Sequence, residues 1–555
     1  MNHPTLAAAT SGPLLMDHCR AFARHVKLSG TPAEAESLRY IQARLDEYGY
    51  RTRLIHHDAY ISLPGPARVE VDDVPLTAIT HSMARPSPPG GLTAELVYVG
   101  HATPADFAGR DLCGRIILAE GIATPVVAAL ARDAGAAGQL HISPHHHLHE
   151  MCISPVWGSP DPQTESQLPA TVACTISNAD GTALRHRLAK GETPRVTLHA
   201  TLDAGWRKTP ILEATLGAQD APFILLSGHH DTWHYGVMDN GSANATMLEV
   251  ARLAATRRAD WKRGLRLCFW SGHSHGRYSG SAWYVDNHWD ELDRNCAAHV
   301  NVDSTGGIGA TVLHDAPAMA PLLALAAEAI AEHTGQACTG KRKNRSADES
   351  LPALGVPSMF GTLSEQPPAE LRLRNALGWW WHTPEDLLDK VDEANLVRDT
   401  KVFVHTIARL LADRTLPLDI AAHARTLRDE LAPLAARLSG RLDLAPLQSA
   451  SATLAHRATQ LAETAAARDP AQVDTTLMAL CRILVPLDYA TTDRFHHDAA
   501  LPIPDWAALQ PLRDVAATEP GTDAAHLHAI SARRAANRIA HALRTANALL
   551  EGPTA

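Results

Sequence analysis

Three short apolar runs, each followed closely by a histidine or an aspartate, constrain the fold of this chain more than any other feature. They span residues 223–227, 265–270 and 297–302. Runs of this length beside glycine are typical of buried strands in a parallel sheet. Residues 241–258, between the first two runs, have the apolar spacing of a helix. The pattern predicts strand, helix, strand, with polar side chains at the carboxyl ends of the strands, where open α/β sheets place their sites.

The polar residues after these runs are of the types that bind zinc. His229, His230 and Asp231 follow the first run, Asp239 lies eight residues further on, and Asp303 closes the third. Imidazole and carboxylate are common zinc ligands, and a catalytic zinc site keeps one position open for water. An aspartate can also bridge two metal ions that act on one bound hydroxide. The sequence therefore predicts a metal site at this edge of the sheet.

The order of these residues resembles the co-catalytic zinc metallopeptidase family of glutamate carboxypeptidase and the bacterial leucyl aminopeptidases. That family has a His-x-Asp motif, a bridging aspartate, a Glu-Glu pair, an aspartate at a strand end and a late histidine. The resemblance implies four metal ligands in this chain: His229, Asp239, Asp303 and His382. It also implies that Asp231 orients His229. Two zinc ions per chain are expected, with one ion or another divalent metal as the alternatives.

The Glu-Glu pair of that family is missing here. From Trp270 the chain reads Trp-Ser-Gly-His-Ser-His-Gly-Arg-Tyr-Ser-Gly-Ser. Counting back from Gly280 places His275 at the second glutamate, a metal ligand, whereas counting forward from Trp270 places His273 at the first, the general base. One residue is inserted between these anchors, so Ser274 is an alternative occupant of the base position. Because a general base is worth about 10²–10⁴ in rate, this assignment bears directly on activity.

Three residues outside this segment are further candidates for the site. Glu349 stands where the family has a histidine, and is either a second candidate base or an ordinary loop carboxylate. Glu150 follows a histidine-rich run, which is either a solvated loop or a segment that brings His149 or Glu150 to the metal centre, where Glu150 would contact substrate or act as a displaced base. Trp381, the last of three tryptophans before His382, is either a packing residue or an apolar wall that contacts substrate.

At 555 residues the chain is too long for one core, and two to four domains are expected. Residues 1–60 and 206–414 carry the features of the catalytic domain. Residues 61–205 contain short runs broken by proline and glycine, as in β structure, and resemble the family's protease-associated insert. Residues 415–555 have helical periodicity and resemble the helical dimerisation domain of glutamate carboxypeptidase and the transferrin receptor. The predicted fold class is α/β, with a mostly parallel sheet covered on both faces, a β-rich insert and a C-terminal helical domain.

A capping pattern predicts one further helix in the catalytic domain. Thr383 precedes Pro384, and Asp386 stands at the third helical position. Threonine at the N-cap, proline at the first position and an acidic residue at the third are typical of a helix start. The pattern predicts a helix over residues 386–413, immediately after His382.

Composition excludes several other classes of function. The net charge is −10 and no basic block is present, which argues against a nucleic-acid partner. None of the eight cysteines has CxxC spacing, so neither a thiolate metal site nor a redox pair is indicated. No run of about 18 apolar residues indicates a membrane span. The first residues lack a signal-peptide pattern, so we expect a cytoplasmic protein with no membrane partner.

The leading prediction is a metal-dependent hydrolase that cleaves an amide or peptide bond with a zinc-bound hydroxide. Its substrate would be a small peptide or amide, and the C-terminal domain predicts a homodimer. The alternatives are a non-catalytic binding scaffold, as in the transferrin receptor, and different metal-assisted chemistry on the same fold. Four of the five expected ligands are unchanged and the fifth is replaced by another ligand type, which favours retention of the metal.

Overall fold

The computed structural model describes residues 6–217, 221–343, 345–369 and 376–551. Their strands are β1 (Arg51–Val71), β2 (Val74–Thr80), β3 (Leu92–Tyr98), β4 (Ile116–Glu120), β5 (Gly138–Ile142), β6 (Val172–Ile176), β7 (Arg195–Leu216), β8 (Phe223–His229), β9 (Gly264–Trp270), β10 (Cys296–Asp303), β11 (Pro317–Ala318), β12 (Lys341–Arg342) and β13 (Ser358–Thr362). The α-helices are α1 (Gly12–Phe22), α2 (Pro32–Glu47), α3 (Pro104–Phe107), α4 (Pro125–Asp133), α5 (Asn178–Ala189), α6 (Ala243–Thr256), α7 (Ser279–Asn287), α8 (Trp289–Asn295), α9 (Leu323–Thr334), α10 (Glu393–Ala412), α11 (Ile420–Arg437), α12 (Ala445–Thr464), α13 (Pro470–Tyr489), α14 (Gln510–Ala517) and α15 (Asp523–Glu551).

The three apolar runs form neighbouring parallel strands, as predicted. Strand β8 is parallel to both β9 and β10, and β10 is parallel to β13. Every residue of β8 and β9 is buried. Since both faces of these strands are covered, their sequences are mostly apolar and do not alternate between apolar and polar residues. Helix α6 joins β8 to β9 and packs against β8 and β10. The predicted α/β fold class, with its C-terminal helical region, is confirmed.

A long antiparallel ribbon of β1 and β7 links this sheet to the predicted insert. The two strands pair from Arg51 opposite Thr215 to Val71 opposite Val196, with one irregularity between Pro64 and Ala67. At one end β7 pairs with β9 of the parallel sheet. At the other end β7 pairs with β3, and β1 with β2, so β2–β6 form a smaller sheet around its own apolar core. The boundaries predicted at residues 61 and 205 lie opposite each other on this ribbon.

The prediction that a helix begins at Asp386 is wrong. The helix begins at Glu393, and its N-cap is Asp392, whose side chain accepts a hydrogen bond from the third helical amide. The Asp386 carboxylate instead accepts hydrogen bonds from the backbone amides of Met238 (2.9 Å) and Asp239 (3.0 Å). A tertiary contact has therefore taken the side chain that the local pattern assigned to a cap.

The C-terminal quarter of the chain is mostly helical, as predicted, and Asp488 connects it to the edge of the main sheet. The Asp488 carboxylate accepts hydrogen bonds from Arg342 (2.6 Å), from the His423 ring (3.0 Å) and from the backbone amide of Trp506 (2.8 Å). Arg342 belongs to the edge strand β12, whereas the other partners belong to the helical region. Among the described residues, no helix combines the length and the apolar character that a membrane span requires.

Candidate metal centre

The candidate site lies at the carboxyl edge of the parallel strands. His229 is the last residue of β8, and Asp303 is the last residue of the neighbouring strand β10. Asp239 lies in the turn of residues 237–242 that leads into α6. His382 comes from the loop that precedes α10. Side chains separated by more than 150 residues in the sequence thus meet at one edge of the sheet, where α/β folds place their sites.

Asp239 lies between two histidines, with one carboxylate oxygen directed to each. Its Oδ1 is 3.1 Å from Nε2 of His229, and its Oδ2 is 3.1 Å from Nε2 of His382. The Asp303 Oδ1 lies 3.7 Å from the same His229 nitrogen. Asp239 would therefore be the carboxylate that a metal centre shares, together with His229 and Asp303 on one side and His382 on the other.

The hydrogen bonds of the two histidines show that this donor set fits a cation. The Nδ1 of His229 donates to the backbone carbonyl of Asp231 at 2.8 Å, and the Nδ1 of His382 donates to the carbonyl of Glu150 at 2.6 Å. In a neutral imidazole the other ring nitrogen, Nε2, then carries a lone pair and can only accept. Both lone pairs face oxygens of Asp239. Because the nitrogen and the oxygen are both acceptors, a proton or a metal ion must lie between them.

The same arrangement shifts the pKa values of His229, His382 and Asp239. Burial opposes a charged His229, but the carboxylates of Asp239 and Asp303 raise the pKa of this histidine well above its usual value. Burial lowers the pKa of His382, although Asp239 works in the opposite direction. Burial also opposes a charged Asp239, yet its two histidine partners hold the pKa of this carboxyl below its usual range. Asp239 is therefore an ionised, buried acceptor, as a metal ligand must be.

His273 is the residue of the altered motif that reaches the centre. Its ring stacks on the His229 ring with centroids 3.6 Å apart. Ligand atoms of His229, His273 and Asp303 all lie within 4.8 Å of one another, so these three side chains can share one ion. The Nδ1 of His273 lies 2.7 Å from Oδ2 of Asp348. Because that contact uses the Nδ1 proton, the opposite nitrogen of His273 is an acceptor.

Asp348 is a functional candidate that sequence reasoning missed. It is buried, it contacts His273, and its second oxygen accepts a hydrogen bond from Ser281 at 3.0 Å. Burial raises and His273 lowers the pKa of this carboxyl, with a net lowering. Asp348 stands beside Glu349 in the stretch that resembles the family motif, so a signal was present, but the neighbouring residue was chosen.

Glu349, in contrast, lies away from the centre. Its Oε1 is 2.9 Å from Nζ of Lys343 and accepts a hydrogen bond from Ser358 at 2.8 Å. Its other oxygen is buried without a hydrogen-bond partner among the described residues. The predicted role of Glu349 as a base stays a prediction, but this structure pairs the carboxylate with a buried lysine rather than with the metal ligands.

His275 makes its contacts beside the candidate ligands, with Ser29 and Trp233. Its Nδ1 lies 3.0 Å from Oγ of Ser29, and its Nε2 is buried with no hydrogen-bond partner in the described part of the chain. The Trp233 ring packs on His275 at 4.6 Å and on His382 at 5.2 Å. Burial lowers the pKa of His275 to about 3, so its ring is neutral. Its predicted role as a metal ligand stays a prediction.

Asp231 organises the same loop. Its Oδ2 accepts hydrogen bonds from Oγ of Ser29 (2.5 Å) and the amide of Ser274 (2.9 Å), and its Oδ1 accepts one from the amide of His273 (3.3 Å). The carboxylate lies 3.9 Å from the His229 ring, which the Asp231 carbonyl contacts instead. Asp231 is therefore placed to hold the loop that carries His273, while its backbone orients His229.

The segment from the insert lies directly over His382. The Glu150 carbonyl accepts the His382 ring proton, and burial raises the pKa of the Glu150 side chain to about 8. The Glu150 carboxyl lies 3.8 Å from the His234 ring. The Trp381 ring stacks on that of His382 at 3.6 Å and faces the cleft. Both residues predicted to contact substrate therefore lie beside His382.

The histidine run of the insert forms a chain of hydrogen bonds that ends at Trp381, the residue before His382. The amide of His147 donates to Nδ1 of His145, whose Nε2 lies 3.0 Å from Nε2 of His149. The Nδ1 of His149 lies 2.5 Å from the carbonyl of Trp381. Since carbonyls only accept, the proton positions in this chain of rings are determined. Burial lowers the pKa of His145 to about 4 and that of His149 to about 3.

A cleft of about 360 Å³ opens from the centre and is bounded by both the catalytic sheet and the insert. At the metal end it is lined by Asp239, His273, Asp303, Trp381 and His382. Basic side chains also line it: Arg277, Lys341, Lys343 and Arg345. A cleft of this size holds a small molecule or a short peptide.

A carboxylate held between two histidines at the carboxyl edge of the sheet defines a candidate metal site. Residues 212–407 match the sequence model of Peptidase family M28, which confirms the resemblance seen in the motifs. The "Probable glutamate carboxypeptidase VP8" of Zea mays is 26% identical over 357 residues, which cover 52% of this chain and 50% of that protein. The "Probable glutamate carboxypeptidase AMP1" of Arabidopsis thaliana is 20% identical over 53% of this chain and 52% of its own length. The chain thus spans about half the length of these curated relatives.

Solved structures share the fold. The peptidase M28 precursor from Shewanella amazonensis superposes with a TM-score of 0.59, at 20% identity, over 74% of this chain and 95% of that one. The zinc aminopeptidase BSAP from Bacillus subtilis gives a TM-score of 0.56, at 18% identity, over 73% and 96% of the two chains. At these identities the likeness establishes the fold of the chain and not its substrate.

Proposed function

We propose that this chain is a metal-dependent hydrolase that cleaves an amide or peptide bond in a small substrate. His229, Asp239, Asp303 and His382 would hold the metal, with zinc as the expected ion. The placement of the Asp239 carboxylate between two Nε2 lone pairs carries the proposal. When bound, the metal would acidify a water molecule and polarise the scissile carbonyl.

We further propose that His273 and Asp348 together replace the missing glutamate as the proton acceptor. The carboxylate of Asp348 holds the Nδ1 proton of His273, which leaves the other ring nitrogen free to take a proton in the cleft. The charge that would develop on the ring is stabilised by the same carboxylate at 2.7 Å. Ser281 supports Asp348 from its other side. Histidine is the side chain that most often serves as a general acid or base in enzymes.

A second role for His273 is supported by one observation. Its ligand atom lies within 4.8 Å of those of His229 and Asp303, so His273 can instead complete a site for a single ion. In that case Asp348 would orient a metal ligand rather than a base. The two roles predict different metal contents when His273 is replaced.

The test measures metal content and hydrolysis side by side in wild type, His273→Ala and His275→Asn. Elemental analysis gives the ions per chain, and a panel of dipeptides and N-acyl amino acids gives the rate. We expect His273→Ala to retain the metal and lose about 10²–10⁴ in rate. Loss of one ion in His273→Ala would assign the residue as a ligand. Loss of an ion in His275→Asn alone would restore the assignment of His275 as the ligand. A wild-type protein that binds no metal after reconstitution would refute the proposal.

We also propose a homodimer, formed through the last helix. Leu527 and Ile530 on α15 are 68% and 55% exposed and lie one turn apart on the same face. Exposed apolar side chains on one helix face are a feature of association surfaces. Light scattering at micromolar protein would test this, and a monomeric wild type would refute it.

A further inference from the structure

We infer that Arg277 forms an anion-binding subsite in the cleft that recognises a carboxylate of the substrate. The inference rests on the proposed function only in taking this cleft as the substrate site. Arg277 lines the same cleft as Asp239 and Asp303. Its carboxylate partner would therefore be brought by the bound molecule.

The Arg277 side chain is buried but has no carboxylate partner among the residues that the structure describes. Only 8% of the residue is exposed. Its Nη1 donates to the hydroxyl of Tyr278 at 3.3 Å, and its Nε is buried without a hydrogen-bond partner. A guanidinium cannot lose its proton at neutral pH, so a buried, unpaired one is costly. Such a group at the wall of a cleft is stabilised by an incoming anion.

The local backbone is built to hold this side chain in place. Arg277 and Tyr278 have φ angles of 46° and 68°, in the left-handed region that is unfavourable for residues other than glycine. They lie in the segment that carries one residue more than the family pattern. The insert secures this conformation, because the amide of Gly158 donates to the Arg277 carbonyl and the Trp157 ring packs on Tyr278 at 4.3 Å. The conformation therefore depends on both sides of the cleft.

The other cationic side chains of the cleft already have partners within the protein. Lys341 and Lys343 are neutralised by Glu365 at 2.6 Å and by Glu349 at 2.9 Å. Arg345 is buried against the face of Trp157 at 3.8 Å and donates to backbone carbonyls. Arg345 thus adds positive charge, but its donors are occupied.

Arg277 is the cleft cation whose donors are least used, so it is the one that can form a forked hydrogen-bond pair. A planar carboxylate matches the guanidinium fork with two parallel hydrogen bonds. We therefore assign the ligand as a carboxylate carried by a peptide or amide substrate, either an acidic side chain or a free carboxyl terminus. A neutral amide of the same shape would lose the charge and one acceptor.

The experiment compares three probes: Ala-Glu, Ala-Gln and the carboxyl-terminal amide of Ala-Gln. The first pair differs in the side-chain carboxylate, and the second pair in the terminal one. Calorimetric titration gives the Kd of each probe for wild type, Arg277→Gln and Arg277→Lys. The exposed Arg294, which pairs with Asp290 on the surface, is the matched control as Arg294→Gln.

We expect wild type to bind one of the carboxylate probes about tenfold or more tightly than its amide partner. Arg277→Gln should remove this preference, Arg277→Lys should retain part of it, and Arg294→Gln should match wild type. The Lys variant also guards against a folding defect, because it keeps the charge. No preference in wild type, or a preference that survives Arg277→Gln, would overturn the inference.

Hydrolysis of the same dipeptides is measured separately. Arg277-dependent binding without hydrolysis would reject the proposed function and keep the subsite. Hydrolysis without an Arg277-dependent preference would reject the subsite and keep the proposed function.

Discussion

Replacing Asp348 with asparagine tests the histidine–aspartate pair most sharply. The Asp348 carboxylate accepts from His273 at 2.7 Å and from Ser281 at 3.0 Å. An asparagine must direct its NH₂ group to one of these partners. The Ser281 hydroxyl can accept as well as donate, whereas the Nδ1 of His273 must donate if its other nitrogen is to remain a base. The amide oxygen can therefore still face His273, and the ring keeps its tautomer.

The expected loss follows from the change in hydrogen-bond type. A charge-assisted hydrogen bond contributes about 1.5–3 kcal/mol and a neutral one about 0.5–1.5 kcal/mol. The difference is about 1–1.5 kcal/mol, or roughly tenfold in kcat at 1.4 kcal/mol per decade. Asp348→Ala, which removes the acceptor entirely, should fall further, towards about 10²–10⁴ below wild type.

The assay is the pH-dependent kcat of both variants on the best dipeptide, with Glu349→Gln as the control. Glu349 is the neighbouring buried carboxylate but pairs with Lys343, so the variant should lose stability and keep its rate per folded molecule. A loss of rate in Glu349→Gln that exceeds the loss in Asp348→Ala would refute the reasoning and favour Glu349 as the base. Wild-type kcat in Asp348→Ala would refute it as well.

Three further predictions concern the supports of the site. Asp386→Ala leaves two buried backbone amides, those of Met238 and Asp239, without an acceptor, so thermal unfolding should show a loss of about 2–6 kcal/mol together with weaker metal binding; unchanged metal affinity would contradict this. Removal of the metal by a chelator should lower the Tm, because a ligand bound only to the folded state stabilises it, and readdition should restore it; an unaltered Tm would count against a bound metal. Burial opposes a charged Asp488, but His423 and Arg342 hold the pKa of this carboxyl below its usual value. A lowered folded pKa gives stability that is present above the unfolded pKa of about 3.9 and is lost as the pH falls through the folded pKa. Asp488→Asn should therefore flatten the dependence of unfolding free energy on pH below about 4. Urea titrations at a series of pH values give this free energy, and a pH dependence equal to that of wild type would refute the prediction.

The strands and most of the candidate ligands were predictable because their signals are local. The runs that form β8, β9 and β10 are mostly apolar, as double-sided burial requires, with buried polar exceptions that include Arg266 in β9 and His299 and Asn301 in β10. His229 and Asp303 end two of these strands, so the sheet itself brings them together. In such cases the sequence pattern and the three-dimensional requirement coincide.

The partners of the altered motif were not predictable, because they depend on contacts between distant segments. His273 and Asp348 are 75 residues apart, and spacing alone could not choose between Asp348 and Glu349. Counting from the two anchors cannot fix the roles of His273 and His275, since one residue is inserted between Trp270 and Gly280 at a position that the sequence does not reveal. The pattern at Asp386 failed for a related reason: its carboxylate serves the turn at Asp239 rather than its own helix.

The carbonyl of Glu150 gives the insert a part in metal loading that no side chain reveals. This oxygen belongs to the insert, yet it decides which nitrogen of His382 is free to coordinate. A chain whose insert is unfolded or nicked would still have every liganding side chain, but His382 would be free to rotate and to take the other tautomer. Retention of the proposed metal would therefore report whether the two parts are assembled, and a protease cut near residue 150 should weaken its binding while the parallel sheet remains folded.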